Sequence, residues 1–441
     1  MILTGVMLGV VLFALSAGYW RGGMLSSRWD SSRIRTALVR NLLLAGAFYA
    51  AISFPAEAAL LEKLMDAGLN LAFGIGVAAT LLFVLPVYLA SQTVPMLAEL
   101  VGTDGKAGKA SGRVLFFSTL GSVAGGVITP VVLFPSFGVR ISTYIICVML
   151  AVASLVMAAG HIRPSRIAPA AAAVLAAVSL GRFLSPSTAD RYAFDSANQS
   201  IRITEEKAPN GRVERVMHLN GGRASGIYVD NGESSFSYIR EADLALQRVR
   251  SPQVLVIGAA GFTFPRDAAA LPYVTRIDAV DVDPVVLPVA ERHFLFARLS
   301  SKIRFFPSSA RYALRRFQRE ARRYGFALLD AYSGKGIPDE LLTVEFFSGV
   351  RSVSDHVAAN VIMDRDVTSA FAQNLLASFK SVFAEVWIKD VSPGGDSDTT
   401  NFLVTNWEIP GAKAWNGKGV IYTDDRNTAD RDHVDMIWGD D

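Results

Sequence analysis

Long apolar runs alternate with short basic segments over the first part of the chain. Each run is close to the roughly 20 residues that cross a bilayer core. The pattern therefore predicts a transmembrane helical domain over residues 1–185 with about six spans. Two runs are weaker, because Arg40 interrupts the second and the sixth is mostly alanine, with Pro169 and Arg182 near its ends. The runs cover residues 2–20, 37–54, 69–91, 113–135, 140–160 and 167–185.

Charges between the runs predict an orientation. Arginine and lysine gather after the first, third and fifth runs, whereas the segment after the second run is mixed in sign. By the positive-inside tendency, the odd-numbered loops lie in the cytoplasm. A strict count of six spans then places the C-terminal half outside. If the second or the sixth run lies in the interface instead, that half is cytoplasmic, and both alternatives stay open.

The pattern changes at about residue 186. Short β-branched or aromatic segments ("IRITEE", "RVMHLN", "GIYVD") are separated by turn signals such as "APNGR" and "NGGRAS". Such spacing predicts a small antiparallel β region over residues 186–245. The helix "SSFSYIREADLALQRV" follows its strands.

Strands and helices alternate over residues 246–441, beginning with the strand "VLVIGA". This order predicts an α/β Rossmann-like domain with a doubly wound, mainly parallel sheet. The last two strands, "EVWIKDV" and "TNFLVTNW", predict a terminal hairpin typical of the class I methyltransferase-like variant. The predicted fold class is thus a multi-span α-helical membrane domain followed by this α/β domain with its small N-terminal antiparallel sheet.

Candidate binding residues follow three predicted strands. Gly258 and Gly261 form a turn after the first strand, Asp281 and Asp283 end the second, and Asp330 ends the fourth. Ligands of open α/β sheets bind outside the carboxyl ends of the strands, and an acid about 20 residues after a glycine turn can accept ribose hydroxyls. The set predicts a nucleoside or S-adenosyl-type site. The alternatives are a structural turn and aspartates that cap helices.

Composition narrows the function classes. The 441 residues are 51% hydrophobic and 19% charged, with a net charge of +3, which does not support a nucleic-acid interface. The single cysteine, Cys147, excludes a disulfide framework and a cysteine-built metal site. Five histidines show no paired ligand spacing, so no metal is expected.

Several segments resemble known families. "RGGMLSSRWDSSRIR" and "GKASGRVLFFSTLGSVAGGVITP" are similar to segments of major-facilitator membrane proteins. "LNGG", "SFSYIRE", "VLVIGAAGFTFPRD" and "LLDAYSGKGIPDELLTVEFF" resemble spermidine synthases, as does the later "YTDDRN". The resemblance implies a membrane-fused polyamine aminopropyltransferase that uses decarboxylated S-adenosylmethionine, or S-adenosylmethionine, as co-substrate. It places Tyr238 in the substrate tunnel, Asp281 on the ribose and Asp330 in the catalytic loop.

The chain also departs from that family's pattern. Ser308 stands where the family carries the acid that binds the adenine amino group, and Ser333 replaces the usual proton acceptor. Losing a general base matters because such help contributes about 10²–10⁴ in rate. Asp330, Ser333 and Tyr238 are the candidate catalytic residues. Phe262 in the altered turn is expected to crowd a cofactor.

Three functions remain. The first is an inner-membrane enzyme that transfers an aminopropyl group to putrescine or a related amine. The second is a non-catalytic polyamine- or nucleoside-binding, or transport-regulating, membrane module, and the third an S-adenosylmethionine-dependent methyltransferase. Expected partners are a small polyamine and a lipid membrane, with no nucleic acid; a homodimer is among the assemblies left open. Because adenosyl cofactors are made in the cytoplasm, the C-terminal half is expected on that side.

Overall fold

The chain divides into two compact units, Met1–Ser187 and Thr188–Asp441. The structure is a computed structural model. It describes residues 2–52, 76–102, 107–158, 190–196, 198–334, 336–392 and 397–438.

The described part of the first unit is helical. A π-helical segment, Thr80–Val84, precedes α3, and another, Thr129–Leu133, joins α5 to α6. Pro130 lies in the second π segment, and Pro86 lies two residues after the end of the first. Proline cannot donate a helical hydrogen bond, and such positions are where the regular ladder widens or bends. The helices are α1 (Ile2–Ser26), α2 (Ser31–Ile52), α3 (Leu85–Ser91), α4 (Thr93–Val101), α5 (Ala107–Ile128) and α6 (Phe134–Ala158).

Within the described part of this unit, four helical stretches are long and apolar enough to cross a membrane. Many of their large apolar side chains are exposed; Phe117, for example, is 67% exposed and Val156 is 71% exposed. An apolar outer surface suits a lipid environment better than water. Residues 37–52 of the predicted second run lie in α2, which is not among the four. The sixth run, 167–185, lies outside the described residues. The four stretches are Gly5–Ser26, Gly76–Val101, Gly108–Leu133 and Ile141–Ala158.

Small residues allow α1 to approach its neighbours closely. A Cβ atom added at Gly18 would lie 2.6 Å from the carbonyl oxygen of Tyr88 in α3, and one added at Gly22 would lie 2.7 Å from the ring of Pro95 in α4. The two glycines are one helical turn apart and so share a face. Spacing of small residues by four is the usual device for close helix packing in membranes.

The second unit begins with an antiparallel meander in the order β1-β2-β3-β4. Leu219 pairs with Gly222 across the last turn, so the loop is the two-residue pair Asn220-Gly221. Both loop residues have positive φ, 50° and 82°, which is the conformation that Asn-Gly favours in a two-residue hairpin. The strands are β1 (Asp190–Asp195), β2 (Ser200–Lys207), β3 (Val213–Leu219) and β4 (Gly222–Tyr228).

An eight-stranded sheet follows, in the order β12-β10-β11-β9-β8-β5-β6-β7. Strands β9, β8, β5, β6 and β7 run parallel, and β11 pairs antiparallel with β9 and with β10. The parallel core and the terminal hairpin were both predicted from the sequence. The strands are β5 (Gln253–Ile257), β6 (Arg276–Asp281), β7 (Ile303–Pro307), β8 (Tyr324–Leu329), β9 (Ser354–Asp364), β10 (Trp387–Asp390), β11 (Thr399–Thr405) and β12 (Lys413–Ala414).

Helices cover both faces of this sheet. Alternate residues of β5 point to opposite faces: Leu255 and Ile257 belong to one core cluster, Val254 and Val256 to the other. The first cluster includes residues of α10–α13, and the second includes residues of α7–α9 and of the meander. The helices are α7 (Ser237–Val249), α8 (Thr263–Ala270), α9 (Val286–Ala290), α10 (Ala310–Arg319), α11 (Val344–Arg351), α12 (Ala370–Phe383) and α13 (Ala429–Trp438).

Candidate functional site

A cavity of about 1290 Å³ opens at the carboxyl ends of β5, β6 and β8. The β3–β4 turn, the start of α7, the start of α10 and the loop after β8 complete its wall. The parallel strands end at the same edge, so residues far apart in sequence meet there. Of the eight candidate residues, the cavity is lined by Tyr238, Gly258, Asp281, Ser308, Asp330 and Ser333.

Gly258 is required by a close backbone approach. Its φ is +91°, and a Cβ atom added there would lie 2.0 Å from the carbonyl oxygen of Asp330. The amide of Asp330 in turn donates to the carbonyl of Ile257 at 2.7 Å. The strand end of β8 therefore passes directly against the turn after β5, and only glycine fits there.

Gly261 and Phe262 serve the core rather than the cavity. Phe262 has φ +56°, and this left-handed conformation turns its ring into the core, where it is fully buried and contacts Phe305 edge to face. Phe262 does not line the cavity, so the prediction that it crowds a cofactor is wrong. A Cβ atom added at Gly261 would meet the hydroxyl of Ser225 at 2.5 Å, so this glycine permits packing under the turn.

The carboxylate of Asp281 accepts backbone amides from the turn after β5 and from its own turn. One carboxylate oxygen accepts the amides of Ala259 at 3.1 Å and Ala260 at 3.3 Å, and the other accepts the amide of Asp283 at 3.0 Å. Burial raises the pKa of Asp281, and these three backbone hydrogen bonds oppose the rise. A carboxylate offers about four acceptor positions. One position is therefore left for a donor in the cavity.

Asp283 and Ser308 have different surroundings. Asp283 is fully buried, accepts the hydroxyl of Ser196 and the amide of Val285, and does not line the cavity. It lies three residues before α9, whose N-cap residue is Val285 without a side-chain cap, so Asp283 is not a helix cap. Ser308 lines the cavity; its amide donates to the carbonyl of Asp281 at 2.8 Å, and its hydroxyl makes a long contact of 3.5 Å with the carbonyl of Ser309.

Asp330 is held by two side chains from different elements. The hydroxyl of Tyr238, from α7, donates to one carboxylate oxygen at 2.6 Å, and the amide of Asn360, from β9, donates to the other at 2.8 Å. Burial raises the pKa of Asp330 to about 7, although both hydrogen bonds lower it. Burial and the neighbouring carboxylate raise the pKa of Tyr238 well above its usual value, so the phenol stays a donor. Asp330 is thus partly ionised at neutral pH.

Sequence reasoning missed three polar residues around Asp330. Tyr332 accepts the amide of Ile362 at 2.9 Å and donates to the carbonyl of Asn360 at 3.2 Å. Asn401, from β11, donates to the side-chain oxygen of Asn360 at 2.8 Å. The available signal was the asparagine inside the apolar strand "VAANVIM", because a buried amide needs partners.

Ser333 lies on the exposed side of the cavity wall. Its amide donates to the carbonyl of Gly336 at 2.8 Å, which closes a tight turn. The turn rests on the meander: a Cβ atom added at Gly222 would lie 1.9 Å from the carbonyl oxygen of Gly334. The loop after β8 is thereby fixed at two points, by Gly222 and by Gly258.

The described lining residues leave the cavity acidic. Arg311 donates to both carboxylate oxygens of Asp424, at 2.7 and 2.6 Å, and Arg223 forms a 2.6 Å ion pair with buried Glu214. Burial lowers the pKa of His218, so this imidazole is neutral at pH 7.

The acids in the cavity wall, unlike the arginines, form no ion pairs within the described part of the chain. They are Asp281, Asp330, Asp339 and Glu340. Burial and then the nearby acids Asp430 and Glu340 raise the pKa of Asp339 to about 6. Cations are therefore favoured over anions. Within the described part of the chain, no cluster of three His, Cys, Asp or Glu residues has the arrangement of a metal site.

Comparison with known proteins gives one relative by sequence. The chain is 33% identical over 194 residues to a polyamine aminopropyltransferase of Vibrio vulnificus (strain CMCP6). The match covers 43% of this chain and 61% of the relative's length. No family model matches the chain.

Solved structures of spermidine synthases are similar to about half of the chain. A probable spermidine synthase from Corynebacterium glutamicum ATCC 13032 is 18% identical, with a TM-score of 0.40 over 51% of this chain and 82% of that one. A spermidine synthase in complex with the transition-state analogue AdoDATO is 15% identical, with a TM-score of 0.40 over 56% of this chain and 84% of that one. These two likenesses leave the activity of the chain open.

Proposed function

We propose that the second unit is a polyamine aminopropyltransferase-like enzyme, which transfers an aminopropyl group from decarboxylated S-adenosylmethionine to putrescine or a related amine. The observation that carries this proposal is the carboxyl group of Asp330, held between Tyr238 and Asn360 in a cavity whose lining arginines, Arg223 and Arg311, are already paired. The 33% identity to a polyamine aminopropyltransferase supports the same substrate class.

The cavity suits two cationic substrates. A sulfonium and an ammonium group both favour a site with carboxylates and aromatic faces. Phe236 and Tyr238 lie with ring centroids 5.9 Å apart in the cavity wall, and Tyr332 lies on the loop that follows Asp330. A carboxylic acid with a pKa near 7 can bind an ammonium ion as the carboxylate and can also receive its proton.

The co-substrate fits the turn after β5. Gly258 keeps side-chain atoms out of that part of the wall, and Asp281 has one acceptor position for a ribose hydroxyl. Ser308 presents a hydroxyl near the same strand ends. We propose that these three residues hold the nucleoside.

The proposed step is a displacement at carbon. The amine nitrogen forms a bond to the aminopropyl carbon next to sulfur, the carbon–sulfur bond breaks, and its electron pair leaves with 5′-methylthioadenosine. The amine proton passes to Asp330. Ser333 has no basic group at neutral pH, so Asp330 is the carboxylate of this loop that can act as the general base.

We also propose that the first unit anchors the protein in the inner membrane as a multi-pass, major-facilitator-like domain, with the second unit in the cytoplasm. The four apolar helical stretches support membrane association. Carbonate treatment of membranes should leave the protein in the pellet, and extraction would contradict the anchor. Protease added to intact spheroplasts should spare residues 186–441; cleavage there would place the second unit outside.

The enzyme proposal is tested with the purified full chain in detergent. We expect 5′-methylthioadenosine and spermidine to form from decarboxylated S-adenosylmethionine and putrescine. Binding of both compounds without turnover would favour the non-catalytic module. Methyl transfer from S-adenosylmethionine, with no aminopropyl transfer, would favour a methyltransferase.

A further inference from the structure

Asn360 is a polar residue in the middle of a buried strand. It is 4% exposed, between Ala359 at 6% and Val361 at 2%. A buried amide without hydrogen-bond partners destabilises the folded state. Here both ends of the amide are paired, with the carboxylate of Asp330 on one side and with Asn401 on the other.

The second hydrogen bond decides which end faces the carboxylate. Asn401 donates its amide N–H to the side-chain oxygen of Asn360, so that oxygen is occupied and the NH₂ group points at Asp330. An ionised carboxylate accepts only. The arrangement therefore presents a donor to the charged form of Asp330 and holds it in place from two neighbouring strands, β9 and β11.

We propose that Asn360 is a positioning residue for the proton acceptor Asp330, and that Asn401 fixes its orientation. Together with Tyr238 on the other oxygen, Asn360 leaves the remaining lone pairs of the carboxylate facing the cavity. The inference rests on the proposed function for its catalytic meaning, but the link between Asn360 and Asp330 exists without it.

Few other charged groups surround Asp330, so an effect of Asn360 on its pKa can be measured. The titratable groups that face it are the phenols of Tyr238, from α7, and Tyr332, from its own loop, and both stay protonated at neutral pH because burial raises their pKa. No ion pair joins Asp330 to a basic side chain within the described residues. Changes at Asn360 should thus act directly on the proton of Asp330.

The first test replaces the donor with an acceptor of the same shape. In Asn360→Asp, two carboxyl groups would share the position of one hydrogen bond, so Asp330 should keep its proton to higher pH. We expect the pH midpoint of putrescine binding, measured by calorimetry with 5′-methylthioadenosine present, to rise by about one unit or more. Asn401→Leu should move the midpoint in the same direction by less.

A matched control is Asn374→Asp. Asn374 is also a buried asparagine, and its amide donates to the carboxylate of Asp432 at 2.9 Å outside the cavity wall. This change should lower the melting temperature and leave the midpoint where it is. If Asn360→Asp also lowered the melting temperature and left the midpoint of putrescine binding unchanged, the inference would be overturned. Asn360 would then have only a structural role, like Asn374.

A second measurement needs no ligand, so it separates this inference from the proposed function. Asn360→Leu, Asp330→Asn and the double variant form a cycle of melting temperatures. The two changes should be non-additive at pH 8, where Asp330 is ionised, and nearly additive at pH 5. Additivity at both pH values would refute the link even if the enzyme is active. A non-additive cycle in a protein that does not bind putrescine would reject only the proposed function.

Discussion

Asp281 and Asp330 end the two strands that flank β5, and burial raises the pKa of both carboxyl groups, yet they are held differently. Backbone amides of the turn after β5 and of Asp283 donate to Asp281. Side chains from α7 and β9 bind Asp330. Backbone donors are set by the path of the chain, whereas side-chain donors can be changed singly. Asp281 is therefore suited to hold a ligand in a fixed position. The pKa of Asp330 can be changed by single substitutions of its side-chain partners.

The largest effect on turnover should come from removing the proton acceptor Asp330. Asp330→Asn should lower turnover by about 10²-fold or more, because the amine loses its general base. The dissociation constant of 5′-methylthioadenosine should change little, since Asp281 is intact. A lower melting temperature with normal turnover would show instead that Asp330 only caps the loop.

Removing Asp281 should weaken binding of the nucleoside rather than slow the transfer step. Asp281→Ala should weaken 5′-methylthioadenosine binding by about 1.5–3 kcal/mol, the range for hydrogen bonds to a charged group. Asp283→Ala is the matched control. It removes a buried carboxylate at the same strand end that does not line the cavity, so it should cost stability without affecting affinity. Equal affinities for the wild type and a folded Asp281→Ala protein would remove Asp281 from the site.

The pH dependence should distinguish the two acids. With the pKa of Asp330 at about 7, the ionised base is lost as pH falls, so kcat/KM should decrease about tenfold per pH unit below 7. The titration of the amine substrate also contributes to this profile. The comparison is therefore with Asp330→Asn, whose profile should lack the break near 7. A break retained in that variant would assign it to another group.

Ser333→Asp should change activity less than the substitutions above, and it should raise activity. Ser333 is exposed in the cavity wall, and an exposed carboxylate contributes only about 0.2–1 kcal/mol to an ion pair, or up to about fivefold. We expect kcat/KM for putrescine to rise within that range. A loss of activity would indicate that the added charge opposes ionisation of Asp330 more than it attracts the amine.

An acid outside the cavity, Asp243, should affect stability and leave catalysis unchanged. Burial, with a contribution from Asp267, raises the pKa of Asp243 to about 8, and one of its oxygens is buried without a hydrogen bond. The folded state keeps a proton that the unfolded chain releases near pH 4. The stability due to this proton is present below about pH 4 and is lost as pH rises through 8. Asp243→Asn should melt several degrees above the wild type at pH 9 and close to it at pH 4. Equal melting temperatures at both pH values would show that Asp243 titrates normally.

The sequence by itself determined the order of elements in the second unit and the strand ends where Gly258, Asp281 and Asp330 lie. Alternating apolar patterns and turn residues act over a few positions, so they can be read without the fold. Parallel strands share one edge, which is why these three residues were expected together.

Only the tertiary structure decided which side chains face the cavity. Phe262 points into the core because its turn takes a left-handed conformation, and Asp283 binds Ser196, which lies 87 positions away. The partners of Asp330 come from an α-helix and from two strands that meet only in the folded sheet. Such contacts join residues with no local relation in the chain, so no periodicity or spacing marks Asn360 and Asn401 as neighbours of the same carboxylate.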